Sequence, residues 1–400
     1  CALLEDGTVR CFGYNGQGQL GSGSTANVGD DETPGSVAPV NLGPGRSAIA
    51  LGAGANHTCA LLDDHTIRCW GYNAQGQLGY GSTSTIGDDE TPASVGPVDL
   101  GPGRTATAIS VGFDHACAIL DTGQVRCWGV GGSGQLGYGK TANVGDDETP
   151  GSVGPVNLGP GRTAVAIAAG SGDSTCAILD DGSVRCWGQG TFGQLGNGSA
   201  ASVGDDETPG TAPAVDLAGH RAVDVAAGNL HTCALLDDGS IRCWGDGSLG
   251  QLGYGNPADI GPAVPLAEIG PVPIGVGRTA TAIAAGANHT CAILDTGRVR
   301  CWGYAANGQL GYGNTSIIGD NETPVFGGYV DLGPGRTATA IAAGALHTCA
   351  ILDDGAVRCW GDAFHGKLGY GNADPIGDDE TPGSVGPVDL GPGRTATAIT

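Results

Sequence analysis

Apolar positions in this chain come in short clusters separated by glycine-rich polar stretches. In "CALLDDHTIRCW", from Cys59 to Trp70, two apolar runs flank the polar turn Asp63-Asp64-His65. Short apolar and β-branched runs bounded by turn residues predict strands, and this pair predicts a hairpin. Further on, "TPASVGPVDL" reads as a strand interrupted by prolines, which suits only a sheet edge. "TATAISVG" is a strand of small residues, fit for a place where several sheets converge. No segment carries the period of an amphipathic helix. The pattern predicts four strands per unit and no helical layer.

The unit repeats. Its first cysteine recurs at Cys1, Cys59, Cys117, Cys176, Cys233, Cys291 and Cys349, and its second at Cys11, Cys69, Cys127, Cys186, Cys243, Cys301 and Cys359. These positions use all 14 cysteines. Four short strands at such a period are the signature of a β-propeller blade. The expectation is an all-β, seven-bladed β-propeller with four-stranded antiparallel blades. It is read as one domain over 1–400, with repeats starting at 1, 59, 117, 176, 233, 291 and 349. The chain starts at the second strand of a unit and stops at Thr400, inside a small-residue strand. Pairing those two segments would close the ring, and the cut through a unit predicts a piece of a longer chain. Trp70, Trp128, Trp187, Trp244, Trp302 and Trp360 follow the second cysteines, with Phe12 in the first copy. One large aromatic per blade is what an inter-blade core requires.

Composition narrows the function. The chain has 400 residues, 77 of them glycine, and a net charge of −24, which sets it against nucleic acid, since phosphate binding needs clustered basic residues. No apolar run is long enough for a membrane-spanning helix. No asymmetric set of nucleophile, base and orienting partner is visible, so the expectation is no enzyme and no catalytic residue.

The motifs "CWGYNAQGQLGYG" and "AAGANHTCAILDTG" resemble repeats of the regulator of chromosome condensation family. Gly-Gln-Leu-Gly stands intact in six copies, and the last reads "GKLG". The resemblance covers essentially the whole chain and implies a seven-bladed propeller closed by the chain ends. The family's eukaryotic founder is a nucleotide exchange factor for a small GTPase that also docks on nucleosomes. Here there is no basic tail or patch, so no small GTPase is expected. Secreted bacterial members resemble this chain more closely, with cysteines at these hairpin positions. One kind of them inhibits β-lactamases, so the resemblance implies protein binding without fixing the target.

Cysteine chemistry follows from hairpin register. A three-residue turn at Asp63–His65 pairs Leu61 with Ile67 and sets Cys59 opposite Cys69, near enough to bridge. Glycine third in most turns (Gly7, Gly182, Gly239, Gly355) fits the positive φ that such a turn needs. Zinc wants four converging ligands, and a thioredoxin-type pair wants a much shorter spacing. Seven disulfides are expected, each stabilising by about 2–3 kcal/mol in the chain-entropy model. They imply a secreted, extracellular or cell-surface protein, with the periplasm as a further option. A lipid anchor at Cys1 is the competing reading, opposed by the presence of Cys11 as a partner.

"GDDETP" recurs, including Asp88-Asp89-Glu90 and Asp146-Asp147-Glu148, which are the candidate calcium ligands. Calcium takes about six to eight oxygens, and the alternative is a solvated loop ahead of an edge strand. His57, His115, His231, His289 and His347 recur before the first cysteine in five copies and predict a repeated structural hydrogen bond. The fifth copy departs most, with "GNPADIGPAVPLAEIGPVPIGVGR" over 255–278. A partner surface is therefore expected at Ile260, Val264 and Leu266. Phe192, Phe364 and His365 in the loops after tryptophan join that expectation. The functional expectation is a non-enzymatic extracellular propeller that engages a protein partner or associates with itself. The alternatives are a subunit of a surface coat, fibre or bead-like array, and an inhibitor of a secreted or periplasmic enzyme.

Overall fold

A computed structural model describes residues 1–262 and 264–400. Seven three-stranded antiparallel sheets follow one another, each with an inner, a middle and an outer strand. In blade two these are Ala48–Ala53, His57–Leu62 and Ile67–Gly71. The register of the hairpin is the expected one: Leu61 faces Ile67, Ala60 faces Arg68 and Cys59 faces Cys69. The third turn residue has positive φ in every blade, glycine in six of them and His65 at φ 62° in blade two.

The ring closes between the two ends of the described chain. Ala396–Ile399 supplies the inner strand of blade one, pairing Ile399 with Ala2 and Ala398 with Leu3. The inner strand carries a bulge at the same place in all seven blades, between Ala396 and Ala398 here and between Ala48 and Ala50 in blade two.

The expected fourth strand does not form. Each blade's sheet ends at the outer strand, and the outward backbone groups of that strand are satisfied piecemeal. In blade two, Gly71 bridges Ile86, and the Val98 N–H donates to the Ile67 carbonyl at 2.9 Å. Between them, the Tyr80 hydroxyl accepts from the Cys69 N–H at 3.0 Å and donates to the Cys69 carbonyl at 3.1 Å. The proline segment turns through a short 3-10 helix, Pro92–Ser94, and Arg68 donates to the carbonyls of Pro92 and Val95. Prolines lack the donors a ladder needs, so two side chains do the work of a strand. Tyr138, Tyr254, Tyr312 and Tyr370 repeat the device, and burial pushes all five phenols up to about 12.

The core lies between neighbouring sheets. Trp70, Trp128, Trp187, Trp244, Trp302 and Trp360 are fully buried there, and Phe12 takes the place in blade one. Gly21, at φ 70°, sits so close to Trp70 that a Cβ would come within 2.8 Å of its Nε1. The last glycine of Gly-Gln-Leu-Gly is therefore fixed by the indole it faces.

Candidate functional site

The frame that holds the loops is a repeated buried network across blade junctions. Between blades three and four, the Gln135 carbonyl accepts from the Thr175 hydroxyl at 2.9 Å and from Trp187 Nε1 at 2.9 Å. His115 Nε2 lies 2.8 Å from Thr175 Oγ1. The single threonine proton goes to Gln135, so His115 Nε2 carries the proton and donates. The same set recurs as His231, Thr290, Gln251 and Trp302, and as His289, Thr348, Gln309 and Trp360. The structural hydrogen bond expected of the five histidines thus forms across the blade junction at His115, His231 and His289, and not at His57. Burial drives the imidazoles of His115, His231 and His347 down to about 4 and those of His57 and His289 to about 3, so all are neutral at pH 7.

All seven cysteine pairs are disulfides, each with Cα atoms 4.0 or 4.1 Å apart, and no cysteine is free. Cys69 spends its own N–H and C=O on Tyr80, so Cys59 and Cys69 form a non-hydrogen-bonded pair. That is the register in which opposed side chains come closest. No helix among the described residues is long and apolar enough to cross a membrane.

The expected partner residues divide into two groups. Phe364 is 63% exposed and Phe192 38% exposed, at the loops after tryptophan in blades seven and four. His365, at φ 63°, stacks at 3.9 Å from the Phe364 ring and 4.9 Å from the Tyr14 ring of blade one. Its Nδ1 is 3.3 Å from Asn27 Nδ2. Tyr14, His365 and Phe364 therefore form an aromatic cluster across the closing seam of the ring. By contrast, Ile260 and Leu266 are buried, against expectation. Ile260 bridges Gly245 as Ile86 bridges Gly71, and Leu266 offers its carbonyl to Arg242 as Pro92 does to Arg68. They occupy core positions that every blade has, and Val264 between them is half-buried.

The acidic loops bring three carboxylates together in Asp88-Asp89-Glu90, in Asp146-Asp147-Glu148 and in their counterparts. Burial and the adjacent Asp89 or Asp147 carboxyl push Glu90 and Glu148 upward, and Glu380 reaches about 7 for the same reasons.

Arginines fall into two structural classes. One per blade, such as Arg68, ties down the rim segment. A second set, exemplified by Arg46 with Asp63 and Asp64, pairs with the hairpin turns. In one copy His220 stands in for that arginine, 3.1 Å from Asp237. Arg221 and Arg298 belong to neither class. Arg298 lies 4.7 Å from the ring of Tyr329, whose rim segment also carries the exposed Phe326, in a part of blade six that the expectations above do not include. A position-by-position comparison of the copies carries the missing signal: Arg298 stands where Thr66 and Ser183 do, Phe326 where Ser94 does, and Tyr329 where Pro97 does.

Seven sheets around one axis, each stapled by its own disulfide, define a disulfide-bonded β-propeller of seven repeats. Residues 1–325 match the RCC1-like domain, and residues 338–367 match the regulator of chromosome condensation (RCC1) repeat. The chain belongs to the RCC1 repeat family. The ultraviolet-B receptor UVR8 of Arabidopsis thaliana is 32% identical over 331 residues, covering 82% of this chain and 68% of that protein. The human E3 ubiquitin-protein ligase HERC2 is 30% identical over 372 residues, 92% of this chain but 7% of that much longer protein. Among solved structures, human WBSCR16 superposes with a TM-score of 0.72 at 21% identity, over 94% of each chain. Yeast RCC1 (Prp20), in its complex with Kap60, superposes with a TM-score of 0.71 at 20% identity, over all of this chain and 85% of that one.

Proposed function

We propose that this propeller is a non-enzymatic protein-interaction module of an extracellular or cell-surface setting, engaging a protein partner where blades seven and one meet. The observation that carries this reading is the exposed aromatic cluster of Tyr14, His365 and Phe364, set on a frame that is otherwise repeated seven times. Exposed aromatics on a rigid frame make good anchors for a partner, because they bury much area with little ordering cost. The seven disulfides support an oxidising compartment. The yeast RCC1 bound to Kap60 supports protein binding as a use of this fold. The reading needs no cofactor, and a calorimetric calcium titration of the acidic loops tests that separately.

The test is affinity capture from the native extracellular fraction with wild-type protein and with Phe364→Ser/Tyr14→Ser. A partner retained by wild type and lost by the variant supports the site; equal retention moves the site elsewhere. The near-identity of the blades favours a second reading, a subunit of a coat, fibre or bead-like array. Electron microscopy separates the two, since isolated rings favour the binder and regular assemblies favour the array.

A further inference from the structure

Blade six carries a surface found in no other blade. Tyr329 replaces the rim proline seen at Pro97, and the guanidinium carbons of Arg298 and Arg300 lie 4.7 and 4.3 Å from its ring centre. Arg300 is buried and anchored on the Pro324 carbonyl at 3.0 Å. Arg298 is exposed and, among the described residues, has no carboxylate within ion-pair distance. The turn that follows Pro324 holds Phe326 at 78% exposure and Val325 at 43%. In the nearby acidic loop Asn321 takes the place of an aspartate, which lowers the negative charge of this blade.

Stacking on an aromatic face leaves the in-plane N–H donors of a guanidinium free, in the fork that matches a carboxylate. An arginine held in this way has already lost much of its side-chain freedom, so a salt-bridging partner orders less on arrival. On a chain of net charge −24 two guanidinium groups meet on this one ring, and salt screens the more distant charges of the molecule beyond about 8 Å. Phe326 and Val325, on the same rim segment as Tyr329, add exposed apolar surface. Charge complementarity thus selects a partner that is acidic and carries an apolar side chain next to its carboxylate.

We propose that the rim of blade six is a docking surface for an acidic protein segment, with Arg298 on Tyr329 receiving a carboxylate and Phe326 with Val325 receiving an adjoining apolar side chain. This rests on the interaction-module reading and adds to it a second surface and the chemistry of what it takes. The segment binds in extended form, because the groups that meet it lie along a sheet rim.

The test uses the intact protein and a fluorescein-labelled octapeptide of alternating glutamate and leucine, read by fluorescence anisotropy. The key variant is Arg298→Ser/Phe326→Ser/Tyr329→Pro, which installs residues that other blades already hold at these places. An unchanged melting temperature shows that it folds. Wild type is expected to bind the peptide, with affinity falling about tenfold or more in the variant, as expected for loss of a charge-assisted bond. The peptide with glutamine for glutamate is expected to fall by a similar factor, and raising salt from about 0.05 to 0.3 M should weaken binding to wild type. No binding to wild type, or equal binding to the variant, overturns the proposal. So does full displacement by millimolar inorganic phosphate, which would show an anion site only. Partner capture that depends on Phe364 and survives the blade-six variant would leave the interaction reading intact while this surface fails; loss of both rejects the reading itself.

Discussion

Two junctions of the ring differ at one threonine position and behave differently. At the junction of blades three and four, His115, Thr175, Gln135 and Trp187 satisfy one another. At the junction of blades two and three the counterpart of Thr175 is Ala116, and the network has no centre. His57, only 1% exposed, is left with neither ring nitrogen bonded, and Trp128 Nε1 is likewise without a partner. The same fold and the same tryptophan therefore enclose a satisfied polar cluster in one place and an orphaned one in another. A buried polar group without a partner costs about 1–3 kcal/mol, so the junction lacking the threonine should be weaker than the one between blades three and four. The repeat is a set of separately tuned interfaces, as expected when stability sums over units and their contacts.

The largest effect that would sharpen this contrast comes from pH. Every buried imidazole has a folded pKa below its unfolded value, so the unfolded chain binds more protons as acid is added. Stability from these groups is complete above about pH 6.5 and is lost as pH falls towards 4, by roughly 2 kcal/mol per histidine at pH 5. The raised glutamates act in the opposite sense: Glu380 contributes stability below its unfolded value that is lost as pH rises through about 7. Melting curves between pH 7.5 and about 4.5 should show a net fall, and replacing His231 by glutamine should flatten it. A profile unchanged by that replacement would break the link to the imidazoles.

Next in size, Thr175→Ala should cost about 2 kcal/mol, because it recreates at a satisfied junction the defect native to the other. The converse, Ala116→Thr, should stabilise by about 1 kcal/mol, provided that the new hydroxyl reaches both His57 and the Gln77 carbonyl. Chemical denaturation measures both, and equal and negligible effects would mean that the missing hydroxyl does not matter. The smallest contrast lies in the indole N–H. Trp187→Phe loses a bonded donor and should cost about 1 kcal/mol more than Trp128→Phe, whose indole N–H is already unpaired.

Much of this was legible in the chain. The hairpin register, the opposed cysteines, the sevenfold count and the buried tryptophans follow from local spacing, because a strand's period and a turn's length fix which residues meet. The fourth strand was misread, because its apolar alternation says nothing about where its backbone bonds go. Tyr80 takes the backbone groups of Cys69, and Arg68 takes the carbonyls of Pro92 and Val95, in place of the bonds that a ladder would have made. Ile260 and Leu266 were misplaced for a related reason. A divergent stretch looked like a divergent surface, yet these side chains fill the same buried positions as Ile86 and Pro92. Phe364 and His365 stand out in the sequence because they break a loop motif. The contact of His365 with Tyr14 does not, since those residues lie near opposite ends of the chain.

The sequence by itself determined the repeat, the strand register and the pairing of the cysteines, all of which depend on residues within one unit. Tertiary structure decided what happens between units: which histidine finds a threonine, which threonine finds a glutamine carbonyl, and which aromatics share a face. Those partners lie some 40 to 60 positions apart or at opposite ends of the chain, as Gln135 with Thr175, His115 with Thr175 and Tyr14 with His365 do. Ring closure brings them together, and no local pattern encodes that.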